Sequence, residues 1–179
     1  MGKSSSGKDS FYRALMKKNP WGLKKLVIYT TRPIRDGEKD GREYHFVSED
    51  RYQQLKAEGK IIEERCYDTV YGPWRYFTAD DGTVDPAREN YLAIGTLESY
   101  RLLKAHYGSR YLCPIYVEVE DGERLKGAIA REETQEIPKY EEMCRRFLVD
   151  EEDFCEENVL KAGIWKRFEN IHLDEWVQE

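Results

Sequence analysis

The sequence predicts an α/β fold, with a parallel sheet that carries helices on both faces. Three apolar runs have the length and composition of buried strands, namely 24–29, 90–95 and 111–119. Helical segments follow these runs, and one more helix is expected from Asp9 to Lys18, directly after a glycine-containing loop. Strands that alternate with helices along a chain are typical of parallel sheets.

The segments between these strands carry their own start and stop signals. Ser48 is expected to cap a helix that Gly59 ends, because serine accepts from helix N–H groups and glycine adopts the left-handed conformation. The remaining predicted elements are strands at 60–67, 74–78 and 163–168, helices at 96–106, 121–131 and 139–149, and a last helix from Leu173.

The composition restricts the classes of partner. The chain has 179 residues, of which 36% are charged and 40% hydrophobic, and a net charge of −6. This length predicts one domain. No apolar run is long enough to span a membrane, and an acidic surface does not attract nucleic acid or anionic lipid. The four cysteines lack metal-ligand spacing and are expected to be reduced thiols of a cytoplasmic protein.

The first motif is a phosphate loop, G-K-S-S-S-G-K, at 2–8. In such a loop, backbone N–H groups surround a β-phosphate, the following helix contributes its positive end, and the lysine bridges the β- and γ-phosphates. The pattern also arises by chance in about one chain of this length in twenty. By itself, the motif is therefore only modest support for a nucleotide site.

The second motif is T-T-R-P-I-R-D-G-E-K-D-G-R-E-Y-H-F, at 30–46. Arg32 and Arg35 stand three residues apart, Pro33 stiffens the segment between them, and Tyr44 adds a hydroxyl from the returning strand. Because guanidinium groups bind phosphate oxygens in pairs, the segment predicts a clamp for a phosphate monoester. A solvated basic turn between two strands is the alternative from composition alone.

The order of residues in 30–46 resembles the GMP-binding segment of the guanylate kinase family, and the phosphate loop precedes it as in that family. The resemblance covers nearly the whole chain and is weak in the last third. It implies a P-loop kinase that transfers the γ-phosphoryl group of Mg²⁺·ATP to GMP, giving ADP and GDP. It also implies a core (1–31 and 79–179), a small mixed β GMP-binding subdomain (about 32–78) and a helical lid (about 127–150).

The resemblance also implies roles for single residues. Lys8, Arg131 and Arg146 would be catalytic, although an Arg145-Arg146 pair on a helix is often only solvated. The expected ATP-binding residues are Gly2, Lys3, Ser4, Ser5, Ser6, Gly7, Lys8, Asp9 and Ser10. The expected GMP-binding residues are Arg32, Arg35, Tyr44, Glu63, Tyr71 and Thr96.

Glu63 is the expected reader of the base. One carboxylate accepts from both N1–H and the 2-amino group of guanine, whereas adenine presents an acceptor at N1 and has no 2-amino group. Glu64, on the other side of the strand, is the competing candidate. The chain departs from the family at Ile28, Pro73 and Thr96, where polar contacts to the nucleotide are otherwise expected.

The expected metal ligands are Asp9 and Ser10. Asp9 stands where the family has a hydroxyl that binds Mg²⁺, and a carboxylate can replace that hydroxyl. The alternative is that Asp9 only stabilises the first turn of the helix. Since only Met1 precedes the loop, we also expect that the DNA upstream encodes the strand that normally leads into it, roughly five to seven residues long.

Two alternatives to a GMP kinase remain open. In a guanylate-kinase-like binding module, the pocket would hold a phosphorylated peptide without catalysis, but such a module would have no use for the intact loop at 2–8. A kinase for another small phosphate ester is the second alternative, and Glu63 with the complete clamp favours GMP over it.

Overall fold

A computed structural model describes residues 1–69 and 72–170 of the chain. These residues form two compact units. The first unit comprises Met1–Pro20, Ile94–Arg101 and the chain from Cys113 onward, and the second comprises Trp21–Ala93 and Leu102–Leu112. No helix within the described ranges is long and apolar enough to cross a membrane. The predicted last helix, from Leu173, lies outside the described residues.

The described part of the chain alternates helices and short strands, as the sequence predicts for the α/β class. In chain order the elements are α1 (Lys8–Lys18), β1 (Lys24–Lys25), β2 (Tyr29–Thr30), β3 (His45–Phe46), α2 (Glu49–Ala57), β4 (Ile61–Thr69), β5 (Gly72–Ala79), β6 (Tyr91–Leu92), α3 (Leu97–Tyr107), β7 (Tyr116–Glu118), α4 (Asp121–Glu133), α5 (Tyr140–Asp153), α6 (Glu156–Lys161) and β8 (Arg167–Glu169).

The main sheet of the second unit is a mixed, four-stranded sheet with the strand order β3-β2-β5-β4. Strand β2 is parallel to β3 and antiparallel to β5, and β4 and β5 form a long antiparallel pair. One face of this sheet packs against α2, because apolar side chains alternate onto that face. The buried cluster there consists of Tyr29, Tyr52, Leu55, Phe77 and Ala79.

Each unit also contains a two-stranded parallel sheet. In the second unit, Lys24 is in register with Tyr91, and in the first unit, Tyr116 is in register with Arg167. These ladders are shorter than the apolar runs that predicted them. In the first unit, the backbone of Met1 also pairs beside β7, since its amino group donates to the Ile115 carbonyl and its own carbonyl accepts from Val117 N–H at 2.9 Å.

The helix caps follow the predicted side-chain chemistry. The Ser48 hydroxyl accepts from the Arg51 N–H at 3.1 Å, which confirms the predicted start of α2. Thr96 does the same for α3, since its hydroxyl oxygen accepts from the Ser99 N–H at 3.1 Å. A serine or threonine at this position satisfies an N–H group that the helix leaves without an internal partner.

Candidate active site

The phosphate loop of the first unit depends on two glycines and one strained serine. Gly7 precedes α1 with φ of 80°, and Ser5 has φ of 62°, so both occupy the left-handed region. A Cβ atom on Gly2 would lie 2.4 Å from the Val117 carbonyl oxygen, which excludes any side chain there. The loop therefore turns back on itself, and the Lys8 ammonium donates to the Lys3 carbonyl at 3.3 Å.

Two hydroxyl groups in this loop are buried without a hydrogen-bond partner among the described residues. They are the Oγ atoms of Ser5 and Ser6, and Ser6 is only 1% exposed. A buried hydroxyl without a partner costs free energy, so the loop holds donors that an anion can satisfy. This arrangement fits the phosphate-binding role expected for 2–8.

Carboxylates that are distant from the loop in sequence contact it. Asp150 accepts from the Ser4 N–H at 2.7 Å, and the Lys3 ammonium pairs with Glu151 at 2.6 Å and with Asp121 at 3.4 Å. Burial would raise the pKa of Asp121, but the positive charges of Lys3 and Arg124 outweigh it and hold that pKa below the usual value. The Ser4 N–H and the Lys3 ammonium therefore already have anionic partners in this structure.

Arg124 lies at the centre of this network, and the sequence interpretation missed it. Its side chain is 1% exposed, pairs with Asp121, Asp150 and Glu151, and lies over the Phe147 ring at 3.9 Å. The signal was the helical period of α4, because positions 124, 128 and 131 fall on one face of the helix. Arg124 therefore lies on the same face of α4 as Arg131, with its charge compensated by three carboxylates.

A cleft of about 240 Å³ brings these groups together within the first unit. Ser4 and Ser5 of the phosphate loop line it, together with Arg124 and the two predicted catalytic arginines, Arg131 and Arg146. Arg145 is not part of the lining. Arg145 and Arg146 both bond to Glu142, which lowers the pKa of that carboxyl group to about 2.

The predicted metal ligands lie at the start of α1. The Asp9 side chain is 67% exposed and its carboxylate lies 4.0 Å from the Lys8 ammonium, while the Ser10 hydroxyl accepts from Arg13 at 3.2 Å. Within the described ranges, no group of three or more His, Cys, Asp or Glu side chains could hold a metal ion. Two oxygen donors suit Mg²⁺, which is commonly bound by one or two protein oxygens together with substrate phosphates.

The arginine clamp belongs to the second unit. Arg32 is 4% exposed and pairs with Glu38 at 2.8 Å, and the other oxygen of that carboxylate accepts from the Arg35 N–H at 2.8 Å. The Arg32 guanidinium also lies 5.5 Å from the ring centroids of Tyr44 and Phe46. The structure therefore places Tyr44 beside Arg32, as expected, and holds Arg32 with a carboxylate from the same turn.

Glu63 and Glu64 lie on opposite faces of the mixed sheet. Glu64 faces α2, where it bonds to Tyr52 and to Lys56. Glu63 is 5% exposed on the other face, where it accepts from the Thr78 hydroxyl at 2.8 Å. A bulge at Ile61/Glu63 shifts the register just before Glu63. Glu64 is therefore part of the packing against α2, whereas Glu63 lies on the opposite face beside Thr78 and Arg65.

Thr96 and Tyr71 are the remaining predicted GMP-binding residues. The Thr96 hydroxyl accepts from the Ser99 N–H and donates to the Ser99 hydroxyl at 3.1 Å, so it is engaged in capping α3 within the first unit. Tyr71 lies outside the described residues.

The family model for guanylate kinase matches residues 1–76, the part of the chain that contains both phosphate-binding motifs and Glu63. The guanylate kinase of Thiobacillus denitrificans is 41% identical over 73 residues, which are 40% of this chain and 34% of that protein. The guanylate kinase of Vibrio vulnificus is 34% identical over 93 residues, which are 51% of this chain and 44% of that protein. Residues 1–76 are therefore similar in sequence to guanylate kinases.

The matched region spans less than half the length of these guanylate kinases. The family model ends before Arg124, Arg131 and Arg146, so the likeness to the family rests on the loop and the clamp. A solved structure of guanylate kinase from Anaplasma phagocytophilum resembles the chain with a TM-score of 0.57 and 17% identity, over 99% of this chain and 78% of that one. This likeness confirms the predicted fold class.

Proposed function

We propose that the protein is an ATP:GMP phosphotransferase. The observation that carries the proposal is the cleft of the first unit, in which Ser4 and Ser5 of the phosphate loop meet Arg124, Arg131 and Arg146. A phosphoryl group in transfer carries charge on its equatorial oxygens, and catalysis consists mainly of positioning it and stabilising that charge. A loop of buried donors next to three guanidinium groups supplies this electrostatic environment.

The acceptor would be held by the second unit. In this proposal Arg32, Arg35, Tyr44 and Tyr71 bind the phosphate of GMP, and Glu63 accepts from N1–H and the 2-amino group of the base. The bond from the Thr78 hydroxyl to Glu63 supports this role, because it fixes the orientation of the carboxylate. Thr96 would add a weaker contact.

The transferring group would be stabilised by Lys8, Arg131 and Arg146, with Arg124 as a further cation. Closure of the lid (about 127–150) would exclude water, which otherwise competes as the acceptor. Arg131 supports this role, since no ion pair within the described ranges engages its side chain. The four cysteines form no disulfide, which agrees with the cytoplasmic location we propose.

The proposal includes Mg²⁺, which Asp9 and Ser10 would hold together with the phosphates of ATP. When bound there, the ion neutralises phosphate charge. We expect Asp9→Ala to raise the Mg²⁺ concentration for half-maximal rate, and Asp9→Thr to restore part of the affinity. Because Asp9 is exposed, neither change should alter the melting temperature much, so a metal effect can be separated from misfolding.

The decisive experiment is a coupled assay of ADP release with GMP, AMP, UMP and CMP as acceptors. We expect turnover with GMP and at most weak turnover with the other three. Binding of GMP without ADP release would favour the binding-module alternative, and preference for another monophosphate would favour a kinase for a different ester. Glu63→Gln should reduce the transition-state stabilisation for GMP, calculated from kcat/KM, by about 2–4 kcal/mol. KM for ATP should remain unchanged.

A further inference from the structure

The sheet face that carries Glu63 also carries an arginine without an assigned role. Glu63 is in register with Thr78, and Arg65 is in register with Tyr76. Residues directly opposite each other on antiparallel strands share a face, so these four side chains point to the same side of the sheet. We name this the reading face (Glu63, Arg65, Tyr76, Thr78).

Arg65 holds a donor that its own chain does not satisfy. Its Nε atom is buried and has no hydrogen-bond partner among the described residues. The nearest carboxylate oxygen, Oε2 of Glu63, lies 3.7 Å away, which is too far for a hydrogen bond. A buried guanidinium N–H without a hydrogen-bond partner is costly. The Arg65 side chain as a whole is 29% exposed, so it is only partly enclosed and a ligand can approach it.

The two-residue spacing of Glu63 and Arg65 on β4 places a carboxylate next to a guanidinium group. Residues two apart on a strand lie about 6.6–6.8 Å from each other along the chain and point to the same side. Glu63 offers paired acceptors, and Arg65 offers a planar fork of donors. The reading face therefore presents two acceptors next to two donors.

Guanine carries the complementary sequence of groups along one side of its ring system. The 2-amino group and N1–H are donors, and O6 and N7, which follow them, are acceptors. We propose that Arg65 donates to O6 and N7 of guanine while Glu63 accepts from N1–H and the 2-amino group. This inference rests on the proposed binding of GMP and adds a second residue that determines specificity.

Tyr76 of the same sheet links Arg65 to the arginine clamp. Tyr76, opposite Arg65, contacts the edge of Tyr44 with ring centroids 5.5 Å apart, and Tyr44 lies beside Arg32. Adenine would fail at both positions, because it presents its 6-amino donor to Arg65 and its N1 acceptor to Glu63. Arginine bound to O6 and N7 is the commonest specific contact to guanine in nucleic-acid complexes, and its fork explains why lysine is a weaker substitute.

The test measures binding by calorimetry for GMP, 7-deaza-GMP, which lacks the N7 acceptor, and IMP, which lacks the 2-amino donor. The proteins are the wild type, Arg65→Ala, Arg65→Lys and Arg75→Ala. Arg75 is the matched control, because it is an arginine of the neighbouring strand on the opposite face, where it contacts Glu49 and Tyr52.

We expect the wild type to bind GMP about tenfold or more tightly than 7-deaza-GMP, since a hydrogen bond to a charged group is lost. Arg65→Ala should weaken GMP binding by about 5- to 100-fold and abolish the preference over 7-deaza-GMP. The preference over IMP should remain, because Glu63 is intact. Arg65→Lys should keep part of the N7 preference, and Arg75→Ala should keep all of it.

Equal affinity of the wild type for GMP and 7-deaza-GMP would overturn the inference without any variant, and so would an unchanged preference in Arg65→Ala. A parallel loss of the N7 and 2-amino preferences would show that Arg65 only orients Glu63. Absence of GMP binding by the wild type would instead refute the proposed function.

Discussion

The phosphate loop of the first unit and the arginine clamp of the second unit each hold carboxylates of the chain itself. At the clamp, Glu38 pairs with Arg32, only six residues away. At the loop, Asp150 binds the Ser4 N–H across 146 residues, and Glu151 and Asp121 join it through Lys3 and Arg124. One site is therefore built from a single turn, and the other requires elements that are distant in sequence.

The difference has energetic consequences. Arg32 and Arg124 are both buried, but Arg32 has one carboxylate partner and Arg124 has three. Removing one partner from a buried ionic network leaves charge without compensation, and the penalty grows with the number of groups affected. We therefore expect changes at the loop network to act mainly on stability and changes at the clamp to act mainly on GMP.

The largest effect should follow from Arg124→Met, which keeps the length of the side chain and removes its charge. Asp150 and Glu151 would lose their buried partner, so we expect a loss of about 3–5 kcal/mol in the free energy of unfolding. Denaturant unfolding measures it. The control is Arg145→Met on α5. Loss of its exposed ion pair with Glu142 should lower the free energy of unfolding by less than about 1 kcal/mol. A loss of similar size in both variants would remove the contrast between the two sites.

The next effect should appear at the clamp in Arg32→Lys, which keeps the charge and removes the planar fork. We expect kcat/KM for GMP to fall about 10- to 100-fold, with KM for ATP unchanged, because a paired contact to phosphate becomes a single one. Steady-state kinetics measures both constants. Arg42→Lys, an exposed arginine of the same turn, is the control and should behave as the wild type. Equal losses for GMP and ATP would contradict a clamp specific to the acceptor.

The smallest effect concerns the pH dependence of the two sets of carboxylates. The Arg32 side chain and the Arg35 N–H hold the pKa of Glu38 below its ordinary 4.5, so this carboxylate stabilises the fold above that pH and the contribution is lost as the pH falls through the lowered pKa. The pKa of Asp121 is lowered from 3.8, so its contribution is present above that pH and is lost as the pH falls through its own lowered pKa.

Thermal unfolding from pH 7 to pH 2 should therefore show the loss of both contributions. The melting temperature of Glu38→Gln should lie below that of the wild type at pH 7, and the two should converge below pH 4.5. Asp121→Asn should converge with the wild type only below pH 3.8. Differences that persist unchanged at pH 2 would mean that neither carboxylate acts through its charge.

Much of the second unit could be predicted because its chemistry is local. The residues from Thr30 to Phe46 contain Arg32, its partner Glu38 and the ring of Tyr44, and strand alternation alone separates Glu63 from Glu64. The Ser48 cap could also be predicted from the sequence, because its partner N–H lies three residues away. The roles of these residues toward GMP stay predictions.

The sequence by itself determined the α/β class and the motifs at 2–8 and 30–46, since each depends on residues a few positions apart. Glu63 as the reader of the base stays a prediction. The tertiary structure decided which arginines surround the phosphate loop. Arg124 is one of many charged residues on α4, and only the packing of α4 against α5 buries it among Asp121, Asp150 and Glu151. Likewise, only the pairing of β4 with β5 leaves the Arg65 Nε buried and unsatisfied beside Glu63. Burial and long-range pairing change the energy of a charge more than its neighbours in sequence do, and neither can be read from local spacing.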